Sequence, residues 1–151
     1  MIGCLFLSTF VGMKKIEWTV EAPASLPDES FPKLNDWIER VANSHNRILG
    51  PIVYIFCNDD KILEVNRQFI DHDYYTDIIT FDYSRGKMIS GDIFISLDTV
   101  RSNSELLGCD FEDELHRVII HGILHLCGID DKGPGQRKIM EHNENEALAI
   151  L

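Results

Sequence analysis

Residues 118–127 read Val-Ile-Ile-His-Gly-Ile-Leu-His-Leu-Cys, and all but two histidines and a glycine are hydrophobic. A helix apolar on nearly every side has to be buried. Its histidines, His121 and His125, are four residues apart, which puts both imidazoles on one face with Cβ atoms about 5–6 Å apart. Buried polar groups need partners, and apolar neighbours cannot supply them. A metal ion can, because zinc–nitrogen bonds of about 2.0–2.1 Å let two rings converge on one ion. Gly128 then offers the left-handed conformation that ends a helix. Beyond it the reversed chain carries Asp130 and Asp131 back towards the rings. A lone histidine would read as a hydrogen-bonded core residue; the pair, the stop and the acid together read as a metal centre.

The spacing H-x-x-x-H-x-x-G-x-x-D ends on Asp131 and parallels the metzincin arrangement, in which the third ligand follows the glycine. Three protein ligands leave a coordination position open, which is the mark of a catalytic rather than a structural ion. Metal-assisted hydrolysis follows from these residue types. The bond that is cut does not.

Length and charge narrow the field. A chain of 151 residues can bury a proper core as a single domain, 1–151, with residues 1–15 either an N-terminal extension or part of a first strand. Its 25 acidic against 14 basic residues give a formal charge of −11, which argues against nonspecific attraction to nucleic acid or anionic membrane. Neither DNA nor a membrane is expected as a partner. Cys4, Cys57, Cys109 and Cys127 show no paired spacing, so a reducing cytoplasm is expected. Cys127 lies about 200° around the helix from His125 and reads as a buried thiol rather than a ligand.

Taken in order, residues 2–13 are mostly apolar, but no positive segment precedes them and the run is too short to span a bilayer. A first strand is expected within residues 5–20, where Ile16, Trp18 and Val20 alternate. Residues 22–32 carry three prolines and read as a loop. Phe31, Leu34, Trp37, Ile38 and Val41 follow at helical spacing. Gly50-Pro51 punctuates before a central strand at residues 52–56. Asn58-Asp59-Asp60 offers caps for a helix with Ile62, Leu63, Val65, Asn66 and Phe69. Residues 78–81 and 90–96 form a hairpin around Arg85-Gly86-Lys87. Helices are expected at 97–106, from Phe111 through the metal motif, and at 136–148. The fold class expected is α+β: a small mixed β-sheet packed with helices, one of them a zincin-like metal-bearing helix.

The segment His-Gly-Ile-Leu-His-Leu-Cys-Gly-Ile-Asp-Asp resembles the H-G-x-L-H-L-x-G-Y-D-H signature of the YbeY family of bacterial endoribonucleases. The segments Leu63-Glu-Val-Asn66, Asp73-x-x-Thr76-Asp77-Ile-Ile-Thr-Phe81 and Gly91-Asp92-Ile93 are similar to further landmarks of that family, in the same order. The resemblance runs from about Val53 to Leu148 and is weak over the first thirty residues. It implies a metal-dependent, single-strand-specific endoribonuclease acting in ribosomal RNA maturation, including 3′-end processing, and in ribosome quality control. It further implies one Zn2+ per chain, with other divalent metals possible, and RNA precursors and ribosomal or small-subunit proteins as partners.

Two departures from the family pattern stand out. The third histidine of the motif is Asp131 here, so the implied ligands are His121, His125 and Asp131. An anionic third ligand implies a less acidic bound water or a relaxed preference for zinc. The arginine that family members carry ahead of the Asp73 segment aligns with Ile70, and Arg67, one helical turn earlier, is the candidate to replace it.

Around the metal-bound water, Asp130 and Arg67 are the candidates to assist, Asp130 either hydrogen-bonding a ligand histidine or simply forming a turn. Lys132, Arg137 and Lys138 directly after the motif, with Arg67, Arg85 and Lys87, are the candidate phosphate-binding cations, although such a run equally reads as solvated surface. Thr76, Asp77 and Asp92 read as cleft residues or as caps and turns. His45, His72, His116 and His142 read as surface residues, and Glu141, Glu144 and Glu146 as a solvated face. Two rival functions stand beside the nuclease. A zinc metallopeptidase needs a glutamate beside the first histidine, and Gly122 occupies that place. A ribosome-assembly binding protein with a structural metal would unfold on losing it.

Overall fold

Among its described residues the chain folds around four strands whose side chains alternate between two faces. The computed structural model describes residues 15–26, 30–70 and 76–151. The apolar run at 2–13, the segment 71–75 with His72 and Asp73, and the Ile70 side chain lie outside the described residues.

Strand β1 (Ile16–Val20) buries Ile16 and exposes Glu17 and Thr19, as its period of two requires. It pairs in parallel with β2 (Ile48–Cys57), which pairs in parallel with β4 (Met88–Ser96). Strand β3 (Ile78–Asp82) closes the sheet antiparallel to β4, giving the order β1-β2-β4-β3. Ile52, Tyr54, Phe56, Ile93 and Ile95 belong to the main core, shared with helices α1 (Asn35–Ser44) and α4 (Phe111–Leu126). Cys57, Ile79 and Phe94 gather in a smaller cluster with Ile62 and Val65 of α2 (Asp59–Val65). The mixed sheet with helices matches the α+β expectation.

Strand β2 begins earlier than its apolar run suggests. Gly50 and Pro51 lie inside it, at a register irregularity between Leu49 and Ile52. Proline removes a ladder donor and is tolerated at bulges. Pairing with β1 starts only at Ile52, so the missing N–H has no strand to serve on that side. The helix at Phe31 also opens differently, as a 3-10 turn over Phe31–Leu34 with a proline near its start.

Helix α2 is capped by Asn58, whose side chain accepts from the Lys61 N–H, and it runs on into a π-turn at Asn66–Ile70. Ser96 caps α3 (Leu97–Leu107) in the same way. Helix α4 starts with Glu112, Asp113 and Glu114 in its first turn, where negative charge complements the helix dipole. Val118, Ile119, Ile120, Ile123, Leu124 and Leu126 are all buried, each contributing about 1.5–3 kcal/mol. The buried Tyr54 hydroxyl donates to the Ile119 carbonyl at 2.8 Å, tying helix to sheet. Gly122 lets α4 sit close: a Cβ there would lie 3.0 Å from the Ile93 side chain. Helix α5 (Gln136–Ala149) is anchored by the Trp37 indole, which donates to the Ala147 carbonyl at 2.8 Å.

Two outcomes test this packing. A Cβ at Gly91 would lie 2.2 Å from the Phe81 carbonyl oxygen, which is backbone and cannot step aside. Gly91→Ala is therefore expected to lower unfolding free energy by about 2–4 kcal/mol in urea titration; a change near zero would contradict the β3–β4 register. Burial pushes the Cys57 and Cys127 thiols up to about 12 and about 11, whereas Cys109 is exposed. Alkylation of native protein at pH 8, mapped by peptide mass spectrometry, should modify Cys109 and spare Cys57 and Cys127 until denaturant is added.

Candidate metal centre

The apolar side chains of α4 face inward, and one stripe of the helix faces a cleft. His121 and His125 lie on that stripe, each partly exposed, with Glu114, Arg117 and Val118 below them. The cleft has a volume of about 840 Å³ and is closed by Thr76, Asp77 and Ile78 at the start of β3, by Asp131 and Lys132, and by Met140 and Glu144 of α5.

The end of α4 sets the geometry. Gly128 adopts φ 96°, and its N–H donates to the His125 carbonyl at 2.9 Å while the Ile129 N–H donates to the Leu124 carbonyl at 3.1 Å. This pair of bonds is a Schellman turn, which a residue with a Cβ enters only at a cost. Arg47 supports it by donating to the Cys127 carbonyl at 3.2 Å. Asp130 then caps its own turn, accepting from the N–H groups of Asp131 and Lys132 at 2.7 and 3.1 Å. The chain has now reversed, and Asp131 faces the histidines.

Asp131 Oδ2 lies 3.3 Å from His121 Nε2 and 3.5 Å from His125 Nε2. One donor atom from each of the three residues falls within 4.8 Å of the others, the sole such group among the described residues. Ligand bonds of about 2.0–2.2 Å in a tetrahedral arrangement put neighbouring donors about 3.3–3.5 Å apart. The donor set fits a divalent ion in spacing and in chemistry: two imidazoles, one carboxylate and a side open to the cleft.

The His121 ring is oriented from behind. His121 Nδ1 lies 2.6 Å from Glu144 Oε2, and the other Glu144 oxygen accepts from Arg117 at 2.8 Å. Burial and the neighbouring His121 charge lower the His125 pKa, favouring the neutral ring that a metal requires. For His121 burial acts in the same direction, but the hydrogen bond and charge of Glu144 outweigh it and raise its pKa. Burial works to raise Glu144 as well, and its bonds to His121 and Arg117 overcome that and lower it. Asp77 and Glu114 titrate above the usual carboxylate range, chiefly through burial.

The profile of the family described as Endoribonuclease YbeY matches residues 25–151. The chain belongs to the YbeY family. A Bacteroides thetaiotaomicron relative named Endoribonuclease YbeY is 64% identical over 125 residues, covering 83% of this chain and 91% of the relative. A Porphyromonas gingivalis relative of the same name is 50% identical over 139 residues, covering 92% and 91%. The solution structure of a Thermotoga maritima protein superposes with a TM-score of 0.60 at 26% identity, covering 89% of each chain.

Within this YbeY-family chain the remaining sequence expectations divide. Thr76, Asp77, Lys132 and Arg137 line the cleft; Arg67 and Lys138 are exposed and are not part of its described wall, and neither are Arg85 and Lys87. Asp92 accepts from the Tyr83 hydroxyl at 3.1 Å rather than facing the cleft. Asp130 takes the turn-forming role, and its two backbone donors hold its pKa low. The solvated face expected of Glu141, Glu144 and Glu146 needs correction: Glu141 and Glu146 are exposed, but Glu144 is 8% exposed and holds His121. His116 is half-buried and meets the Trp37 ring edge-on at 6.3 Å, and His45 is half-buried too, so neither is a plain surface residue. Arg117 belongs to no motif of its own in the sequence. Its signal was its place one helical turn before His121.

Asp131→Ala is expected to weaken Zn2+ binding by more than about 100-fold, beyond the 10–100-fold typical of outer-sphere changes, while Asp130→Ala stays within that range. Titration against a chromogenic chelator reads both; the reverse order would shift the ligand by one residue.

Proposed function

We propose that this chain is a metal-dependent endoribonuclease that cuts single-stranded RNA and acts in ribosomal RNA maturation, its 3′-end processing and ribosome quality control included. The observation that carries the reading is the convergence of His121 Nε2, His125 Nε2 and Asp131 Oδ2 on the open side of a cleft. Relatives named Endoribonuclease YbeY support the choice of RNA as substrate.

When bound, a divalent ion, with Zn2+ the first candidate, supplies a Lewis acid for a phosphoryl oxygen and lowers the pKa of a coordinated water. His121, His125 and Asp131 hold it. Lys132 and Arg137 on the cleft wall meet backbone phosphates as they enter. Asp77, half-buried on the cleft wall and with its pKa raised chiefly by desolvation, is the cleft carboxyl suited to take up a proton. Asp130 is a weaker base because its carboxylate is already committed to two backbone amides.

Among the described residues no helix is long and apolar enough to cross a membrane. The proposed setting is the cytoplasm, where the acidic chain meets its RNA through ribosomal or small-subunit proteins rather than through its own field. The peptidase alternative lacks its general base, since Gly122 carries no side chain and packs against Ile93 and Ile78.

The test is cleavage of a fluorescent single-stranded RNA with and without chelator. Cleavage should disappear with chelator and return on adding metal, while far-ultraviolet circular dichroism stays unchanged. His125→Ala should reduce cleavage by at least about 100-fold, as expected when a group central to the chemistry is lost. Unfolding on metal removal would favour a structural ion, and chelator-resistant cleavage by His125→Ala would contradict the proposal.

A further inference from the structure

Helix α5 buries Met140, Glu144 and Ala147 along one stripe. Two of these are ordinary core residues and the third is an acid. Its carboxylate is fully engaged: Oε2 lies 2.6 Å from His121 Nδ1, and Oε1 accepts from Arg117 at 2.8 Å. The second Arg117 nitrogen donates to Asn145 at 2.9 Å, which fixes the guanidinium as well. Ion pairing alone is a weak reason for this arrangement: the Arg117 side chain is a third exposed, where solvent screens the attraction, and the burial of Glu144 sets a desolvation cost against it. The geometry serves His121 instead. In the neutral form, a ring whose Nδ1–H is taken by a carboxylate presents a bare Nε2 on its other edge, and Nε2 is the atom 3.3 Å from Asp131 Oδ2.

We infer that Glu144, braced by Arg117, is a positioning residue that fixes the tautomer and orientation of His121 and so couples the docking of the last helix to metal affinity. The inference rests on the ligand assignment above. Helix α4 supplies two of the proposed ligands, but one of them reaches its binding form only with α5 seated. A change that loosens α5 therefore lowers metal affinity without touching a ligand.

The test uses the full chain and Zn2+ alone. Ring-nitrogen NMR of the metal-free wild type, at a pH where the imidazoles are neutral, should show His121 protonated on Nδ1. In Glu144→Ala that preference should be lost. Zn2+ affinity should fall about 10–100-fold in Glu144→Ala and less in Glu144→Gln, which keeps an acceptor oxygen. Glu146→Gln, which removes a charge from an exposed position on the same helix, should bind as wild type. A wild-type His121 protonated on Nε2 overturns the inference, and that measurement needs no variant to fold. So does unchanged affinity in folded Glu144→Ala and Glu144→Gln while His121→Ala loses the ion. Unchanged affinity in His121→Ala would instead sink the ligand assignment on which the inference stands.

Discussion

The structure depends on the way α4 ends. The helix is held in the core by seven buried large apolar side chains, Leu115 among them, each contributing about 1.5–3 kcal/mol. Taken together that is far more than any single polar contact at the site, where a hydrogen bond nets about 0.5–1.5 kcal/mol, or about 1.5–3 when charged. The core therefore decides where the two histidines stand. What it cannot decide is where the third group comes from. That is fixed by the left-handed Gly128 and by the two bonds of its turn, which bring Asp131 within 3.5 Å of both rings.

The cleft has an electrostatic character of its own. Among the described residues its wall carries six carboxylates, namely Asp77, Asp82, Glu114, Asp131, Glu141 and Glu144, against the cations Arg117, Lys132 and Arg137. Arg117 is further committed to Glu144. Such a lining favours a divalent cation over a polyanion, and a bound ion changes the sign of the problem. On the proposed reading, recruitment of RNA falls to Lys132 and Arg137 near the site and to partners brought in by larger assemblies, in keeping with a chain whose formal charge is −11.

Much of this was legible in the sequence because the decisive contacts are local. His121, His125, Gly128 and Asp131 span eleven residues, and their geometry follows from helix periodicity and one left-handed turn. Strand β1 declared itself by alternation, and the hairpin of β3 and β4 by its turn. The misreadings were nonlocal. Gly50-Pro51 looked like a break because a bulge is invisible until the neighbouring strand is known. Glu144 looked solvated because two exposed glutamates flank it and its partner lies 23 residues away. A signal did exist: Met140, Glu144 and Ala147 recur at i, i+4 and i+7, which puts the acid on the buried stripe. Composition spoke for solvent and spacing for the core, and spacing was right.

X-ray absorption at the metal edge of protein loaded with one equivalent of Zn2+ tests the central claim most directly. The account predicts a first shell of two imidazole nitrogens and a carboxylate oxygen, completed by a light solvent atom that a small anion displaces. A sulfur scatterer, a fourth protein ligand, or the same spectrum from Asp131→Ala would contradict it.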